Sequence, residues 1–530
     1  MKNIYVVIFL LLGIGSAKAQ TMYDAQKFGM KDLSGTARFV GMGGALGALG
    51  ADISTMSVNP AGTGLYRKND FSATLNYTNS SFDGDYLGSK FDISKSKTNL
   101  GTLGFVISTN IRNSALKYVN FGFNYTRVAN FNNRVNASAG MGYGTTYAMQ
   151  LAAMANSMPG DVSQAFPDKG PSPYRNGDYG WLGLQGYQGH VIELNNEGAF
   201  ESKFNDSQGS AFTLKETGGI DQYDFNVSFN ISDRAFFGFT LGAYSLRYNS
   251  MSTFREYYRL AVDNKSLEWM ASTTDTYTRG AGVDFKFGTI VRPFESSPFR
   301  IGLAVHTPMF YNLTRYSSMY FDSDVWGKFT ENGQQMEGII ETSVDTYENN
   351  WYGGYNAFDY KLRTPWKLNL SLGHNIGTVL ALGLEYEYQD YSSSKFSYDD
   401  EWGGRIHEIN NQTGMLKKVH TIRFGGEFKF IPQVAFRFGY NLETAGFEKD
   451  AYKNIIPNSV QTDTYYFNKD GVRNTFTIGT GYSGKMWYAD LTYKFDTRKM
   501  NFRPYDNSDL PFSKVTQENN TVLFTVGLRM

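Results

Sequence analysis

The sequence predicts an all-β fold: an up-and-down transmembrane β-barrel of about 14 antiparallel strands. Three observations predict it. Apolar residues recur with a period of two through most of the chain after residue 70. The connections between these stretches alternate strictly between short and long. The chain opens with an export signal, yet afterwards holds no apolar run near the roughly 18 residues that a spanning helix needs. An exported chain of this kind is either a secreted β-protein or an outer-membrane barrel, and the alternating connections favour the barrel.

The elements follow in chain order. Lys2 begins a positive region, "IYVVIFLLLGIG" is an apolar core, and Ala17-Lys18-Ala19 is a small-residue cleavage site. Residues 1–19 are therefore expected to be a signal peptide, with Gln20 as the mature N-terminus. Residues 20–69 precede the first strand and contain "GMGGALGALGADISTMSVNPAGTGLY" at 41–66. This is not a dinucleotide loop: the glycine spacing is wrong, no suitable strand precedes it, and no βαβ alternation follows. About fifty residues ahead of a barrel wall suit a plug in the lumen, with small residues for close backbone approach.

Residues 70–530 are the expected barrel. Strand-like stretches lie near 70–79, 98–109, 117–131, 219–232, 234–250, 274–292, 298–316, 356–375, 377–392, 415–431, 432–446, 471–483, 485–498 and 518–530. In "VAFRFGYNLE", Val434, Phe436, Phe438, Tyr440 and Leu442 share one face, opposite Ala435, Arg437, Gly439, Asn441 and Glu443. "VLALGLEYEYQ", "HTIRFGGEFKF" and "WYADLTYKF" divide in the same way. The apolar faces belong to lipid. Arg423, Glu427, Lys429, Arg437, Glu443, Asp490 and Lys494 are then expected to form a solvated or salt-bridged interior. Short connections include "ISDR" at 231, "HNIGT" at 374 and "IPQ" at 431. Long ones are expected at 80–97, 132–218, 251–273, 317–355, 393–414, 447–470 and 499–517. The amphipathic last strand, "TVLFTVGLRM", has the form of a barrel-assembly signal, although it ends in Met530 where Phe is more typical.

Composition removes several function classes. Fifty basic and fifty acidic residues give no net field for nucleic acid, and the chain has no cysteine for a thiolate metal site. His190, His306, His374, His407 and His420 do not pair at metal-ligand spacing. Ser94-x-x-Lys97 and Ser392-x-x-Lys395 fall in or beside polar loops, and Asp322-x-Asp324 and Asp399-Asp400-Glu401 read as solvated acidic loops. No catalytic constellation and no cofactor is expected. Within 132–218, "TTYAMQLAAMANSM" sets Tyr147, Leu151, Met154 and Met158 at helical spacing, followed by Pro159, Pro167, Pro171, Pro173 and an apolar patch at Trp181. Two readings stand: a loop helix packed on the barrel rim, or an apolar capture groove for a greasy ligand.

The run "TARFVGMGGALGALGADISTMSVNPAGTGLY" resembles the FadL/TodX family of outer-membrane transporters for long-chain fatty acids and other hydrophobic compounds. The matching residues are Arg38, Gly41, Met42, Gly43, Gly44, Ala45, Asp52, Asn59, Pro60, Ala61 and Gly62. Beyond this run the resemblance is architectural. It implies an N-terminal hatch, passive uptake of a hydrophobic small molecule caught by the outer loops, and sideways release near a kinked third strand. Here that strand is "KYVNFGFNYTRVANF", where Asn130, Asn132 and Asn133 would disturb pairing without a proline or paired glycine. Asn59, Pro60 and Ala61 are expected to latch the hatch to the wall near the exit. The implied partners are the hydrophobic ligand, outer-membrane lipid and lipopolysaccharide, and the barrel-assembly machinery. A branch resembling the PorV component of a secretion system handles protein cargo, which leaves a cargo-binding barrel as the alternative.

Overall fold

A computed structural model describes residues 21–530, apart from 141, 167–171, 177, 261–266, 332–333, 348–355 and 400–402. The expected signal peptide (1–19), Pro167 and Pro171, and Asp400 and Glu401 lie outside the described residues.

Fourteen antiparallel strands form one closed wall. They are β1 (Asp70–Tyr86), β2 (Ser89–Asn110), β3 (Leu116–Asn130, resuming at Arg134–Ala139), β4 (Gly209–Ile231), β5 (Ala235–Leu260) and β6 (Leu267–Val291). Next come β7 (Arg300–His306 and Phe310–Glu331), β8 (Asn356–Arg363 and Lys367–Ile376), β9 (Leu380–Asp390 and Lys395–Tyr398) and β10 (Lys418–Ile431). The last four are β11 (Val434–Glu443), β12 (Arg473–Ser483), β13 (Trp487–Arg503) and β14 (Ser513–Arg529). β14 returns to β1 in a ladder from Asp70↔Arg529 to Gly84↔Val515, so no edge is left there. Leu303, Leu370, Phe424, Phe438 and Phe524 are exposed on the outside, while Arg437, Glu427, Asp490 and Glu385 are buried within. That polarity is what a lipid-facing wall requires.

The short turns lie at one end, as expected, but three of the expected long connections are mostly strand. β1 and β2 continue through 80–97 to a two-residue turn at Leu87 and Gly88, whose φ angles are +51° and +88°. This backbone matches the twist of a tight hairpin. β5 and β6 likewise extend into 251–273, and β7 folds back on a strand at Gln334–Asp345. These extensions rise above the apolar belt, where both faces meet polar surroundings. A segment such as "FDISKSKTN" therefore lacks the apolar alternation that marks a membrane strand.

The interior is filled by the N-terminal segment. It contains α1 (Met22–Gly29), α2 (Ala37–Gly41) and two 3₁₀ turns, Ile53–Ser57 and Pro60–Leu65. Thr525 and Thr492 bond to the backbone of Ala37, Thr477 to Gly41, Glu385 to Gly47, Arg300 to Leu49, and Asn120 to Thr63. These partners come from β14, β13, β12, β9, β7 and β3. A segment touching the wall on so many sides lies inside it. Over the opposite end, α3 (Tyr147–Asn156) and α4 (Trp181–Gln188) pack with the tops of the strands into a separate apolar cluster.

Candidate functional site: a filled lumen beside a break in the wall

The glycine-rich run is one half of a matched surface, and the wall supplies the other half. Gly43 and Gly44 turn the chain with φ of +62° and +84°, a region that favours glycine. Facing them are wall glycines in the middle of strands. A Cβ on Gly439 would lie 2.1 Å from the Gly43 nitrogen. One on Gly425 would lie 2.1 Å from the Met42 carbonyl oxygen, and one on Gly383 2.0 Å from that of Ala45. Further round, Gly288 leaves space for Asn59 and Gly238 for Pro60. Mid-strand glycine weakens a strand unless another backbone must come close, which is the case here. The other residues of the motif organise the segment itself. Asp52 accepts from the Ser54 amide at 2.9 Å and from the Thr36 hydroxyl at 2.8 Å. Asn59 accepts from the Ala61 amide at 3.2 Å and donates to the Thr289 carbonyl at 3.3 Å. Ala61 is fully buried, and Gly62 packs on Thr55.

Charges complete the seat. Arg38 lies 3.0 Å from Glu427 and donates to the Ala51 carbonyl at 2.9 Å. Glu427 also pairs with Arg437 at 2.7 Å, and Arg437 with Asp490 at 2.6 Å. Arg423 bridges Glu385 and Glu387, and Glu443 pairs with Arg498. The expected interior network is thus salt-bridged, and it ties the segment to the wall. Lys429 stands apart from it, exposed near the end of β10.

A cavity of about 200 Å³ opens between α1 and the rim. Its lining is mixed. Phe82, Phe131, Leu214, Phe467 and Met500 give apolar surface, and Lys27, Glu216, Arg315, Lys469, Arg473 and Asp496 give charge. A smaller cavity of about 70 Å³ lies on the other side of residues 30–34 and shares Met30, Asp32 and Arg473 with the first.

The larger cavity borders a break in the wall. β2 and β3 pair only from Asn110↔Tyr118 to Thr102↔Thr126. Beyond that, β2 goes on pairing with β1 and β3 with β4, but not with each other. The register shifts at Leu100–Thr102 and again at Arg127–Ala129, and β3 is interrupted at 131–133. The asparagines expected to disturb pairing therefore sit at the interruption. The positive-φ glycine of the kink is on the neighbouring strand: Gly218 of β4, at φ +113°, accepts from the Phe131 amide at 3.3 Å. Ala129, Asn130, Phe131 and Asn133 all line the cavity.

Two groups of sequence-predicted residues lie elsewhere. Asn59, Pro60 and Ala61 meet the wall at β5, β6 and β7, not at the β2–β3 break. Among the N-terminal residues, Asp32 bonds to the backbone at the break and Phe28 packs on Phe131, and the sequence analysis singled out neither. Tyr147, Leu151 and Trp181 are packed in the interior of the rim cluster, with Met154 partly buried against it and Met158 partly exposed. None of the five lines the lumen cavity. The rim-packing reading of this helix fits that placement, since the groove side chains are already covered by their own chain.

No model of a known protein family matches the chain, and no curated protein matches it in sequence. Among solved structures it is similar to a deletion mutant of the TodX monoaromatic hydrocarbon channel. The two share 10% identity over 94% of this chain and all of that one, with a TM-score of 0.50. It is also similar to a Pseudomonas aeruginosa FadL homologue (13% identity, 94% and 99% covered, TM-score 0.49). A third is the Pseudomonas putida toluene transporter TodX (11% identity, 94% and 99% covered, TM-score 0.46). The TodX mutant comparison shows a shared fold across the whole barrel.

Proposed function

We propose that this barrel, which shares the TodX channel's fold, is an outer-membrane channel for passive uptake of a hydrophobic small molecule. The ligand is received beneath the rim, held in the cavity above the N-terminal hatch, and released sideways between β2 and β3. The observation that carries this reading is that the cavity ends at a stretch where the neighbouring wall strands β2 and β3 are not paired. A sideways route suits an apolar ligand because it avoids a water-filled path through the hatch. The mixed lining suits an amphiphile, with its chain or ring against Phe82, Phe131 and Phe467 and a polar group near Lys27 or Arg473. Long-chain fatty acids and monoaromatic compounds are the first candidates.

The hatch reading of residues 20–69 rests on the motif match and on the seat of matched glycines. Gly41, Gly43, Gly44 and Asp52 shape it, and Asn59, Pro60, Ala61 and Gly62 anchor its far side. The cavity's place beside the break is what supports reading the protein as a conduit.

Uptake of radiolabelled oleate and toluene, measured in a deletion strain with and without the restored gene, tests the proposal. Restored uptake of either probe is expected; equal uptake in both strains for every hydrophobic probe would refute it. The alternative, a surface barrel for protein cargo, would be favoured by a stoichiometric protein partner pulled down from the outer membrane.

A further inference from the structure

The outside of the wall carries an arrangement of charge that the lumen does not explain. β5 and β6 are paired so that Arg247 stands directly opposite Arg279. Both side chains are exposed on the outer face, while Leu246, Tyr248 and Thr278 beside them are buried on the inner one. Side chains opposed in this way have their Cβ atoms about 5 Å apart, and like charges so placed repel. Among the described residues neither guanidinium forms an ion pair, and Arg247 has no hydrogen-bond or ring partner either. The acidic groups of this face are engaged or more distant. Asp221 pairs with Arg127 at 3.2 Å, Asp359 accepts from the Thr314 hydroxyl at 2.6 Å, and Asp275 stands four residues further up β6. Arg279 is held in place by aromatic rings. It donates to the Tyr316 hydroxyl at 2.7 Å, and its guanidinium lies 5.1 Å from that ring and 5.9 Å from the ring of Tyr277.

Depth in the membrane identifies what meets this pair. Below it the outward residues are apolar and exposed: Phe239 and Leu241 on β5, Val283, Phe285 and Phe287 on β6. Arg247 lies 12 residues along β5 from Ala235, and Arg279 lies 12 residues from the end of β6 at Val291. At about 3.3 Å per residue on a strand tilted by about 40°, both stand about 30 Å above the short periplasmic turns, just past an apolar band about 25 Å tall. They face the headgroup layer of the outer leaflet. A second pair of the same kind lies above, where Arg134 of β3 is opposite Lys215 of β4, both exposed. Lys215 is 16 residues from the end of β4 at Ile231, which places it about 10 Å higher on the same geometry. We propose that Arg247 and Arg279 bind the phosphate of a lipopolysaccharide molecule, with Arg134 and Lys215 meeting the acidic sugar layer above it. A phosphomonoester carries a charge of about −1.5 to −2 at neutral pH, and its oxygens match the guanidinium fork. Phosphatidylethanolamine brings its own ammonium, which two guanidiniums repel. Any glycerophospholipid also ends at the depth of Arg247, whereas a lipid that continues outward reaches both pairs. The site holds lipid against the outer wall and takes no part in passage through the lumen, so it stands or falls separately from transport.

Native mass spectrometry of the refolded barrel in a non-ionic detergent, titrated with monophosphoryl lipid A, tests the assignment. A one-to-one adduct is expected. It should weaken by about tenfold or more in R247Q/R279Q, the effect of losing charge-assisted hydrogen bonds. R112Q should bind as the wild type does, since Arg112 is exposed in the short turn between β2 and β3. Dephosphorylated lipid A and phosphatidylethanolamine should bind the wild type no better than lipid A binds the double variant. R134Q/K215Q should weaken binding of complete lipopolysaccharide and leave that of lipid A unchanged, because the second pair lies above the headgroup. Heat-modifiable migration checks that each variant is folded. An undiminished adduct in a folded R247Q/R279Q barrel would overturn the proposal, as would a wild-type barrel that forms no adduct. Equal binding of dephosphorylated lipid A would remove the phosphate from it. Phosphatidylglycerol bound as tightly as lipid A would also overturn it, showing a surface for any anionic headgroup.

Discussion

The matched glycines make a sharp prediction about the wall. In Gly439→Ala the new Cβ would sit 2.1 Å from the Gly43 nitrogen and 2.5 Å from the Gly43 Cα. Carbon and nitrogen atoms in contact need more than 3 Å, so one backbone must move by about 1 Å, beyond what a well-packed interior absorbs freely. β11 is paired on both sides, with β10 and β12, and cannot yield. The Gly43 turn must yield instead. Overpacking of this kind costs about 1–3 kcal/mol, which raises the population of an unseated hatch by about fivefold to about 150-fold. The same Cβ would lie 2.5 Å from the Thr477 hydroxyl of β12, so the cost falls on the N-terminal segment and on that side chain, while the outer face of β11 is untouched. Gly140→Ala is the control, since a Cβ there meets nothing within 4 Å. Hydrogen exchange over residues 37–47 is the assay, and heat-modifiable migration on a gel confirms an intact barrel. Exchange as slow in Gly439→Ala as in Gly140→Ala would refute the idea that wall glycines are the seat of the hatch.

Three further outcomes are expected. Asn59→Ala loses the bond to the Ala61 amide and the one to the Thr289 carbonyl. It should weaken the Pro60–Leu65 turn by about 1 kcal/mol, read as faster exchange at residues 60–65 without loss of the barrel. Arg38→Ala strips one partner from buried Glu427 and should lower thermal stability more than Arg38→Lys does; equal midpoints would show that the pair contributes nothing. Burial, reinforced by Lys286 and Lys367 and opposed by Asp284 and Asp224, pulls the Lys31 amine down to about 7. Holding it charged therefore costs stability in full below that pH, and the cost fades as pH rises from about 7 towards the ordinary lysine value near 10. The thermal midpoint should rise over that window in the wild type and stay flatter in Lys31→Met.

The barrel was legible because lipid imposes a rule on every membrane strand. Phe436 and Phe438 must face outward, so Arg437 between them must face inward, and the period of two survives in the sequence. Above the belt that rule lapses, which is why the hairpin through Ser89–Asn110 read partly as a loop. The small residues of the hatch were also visible, and so were the inward glycines Gly439 and Gly383. What the sequence did not reveal was that these two sets meet, because contact between residues some four hundred positions apart leaves no local pattern. Asp32 was invisible for a related reason. It follows a short helix in an unremarkable "GMKDLSG", and its importance comes from the unpaired stretch of β3 that it reaches. Asn130, Asn132 and Asn133 pointed to the interruption from their own poor strand propensity, whereas the matching distortion at Gly218 belongs to a strand ninety residues on.

The hatch and wall also constrain how the molecule is assembled. Ala37 is bonded to Thr525 at 2.7 Å, so the N-terminal segment touches the strand that closes the barrel. Yet the closing ladder between β1 and β14 is made by the strands' own backbones, from Asp70↔Arg529 to Gly84↔Val515. Closure is therefore expected to proceed without the N-terminal segment, while seating that segment needs a wall whose glycines are already in register. A chain lacking residues 21–66 should still give a heat-modifiable barrel. Its lumen would then be lined by the hydrated charges of Arg423, Glu427, Arg437 and Asp490, and should conduct ions in a planar bilayer far more than the complete chain does. If that deletion instead abolished folding, the N-terminal segment would be a template for closure and not a plug placed within a wall that closes by itself.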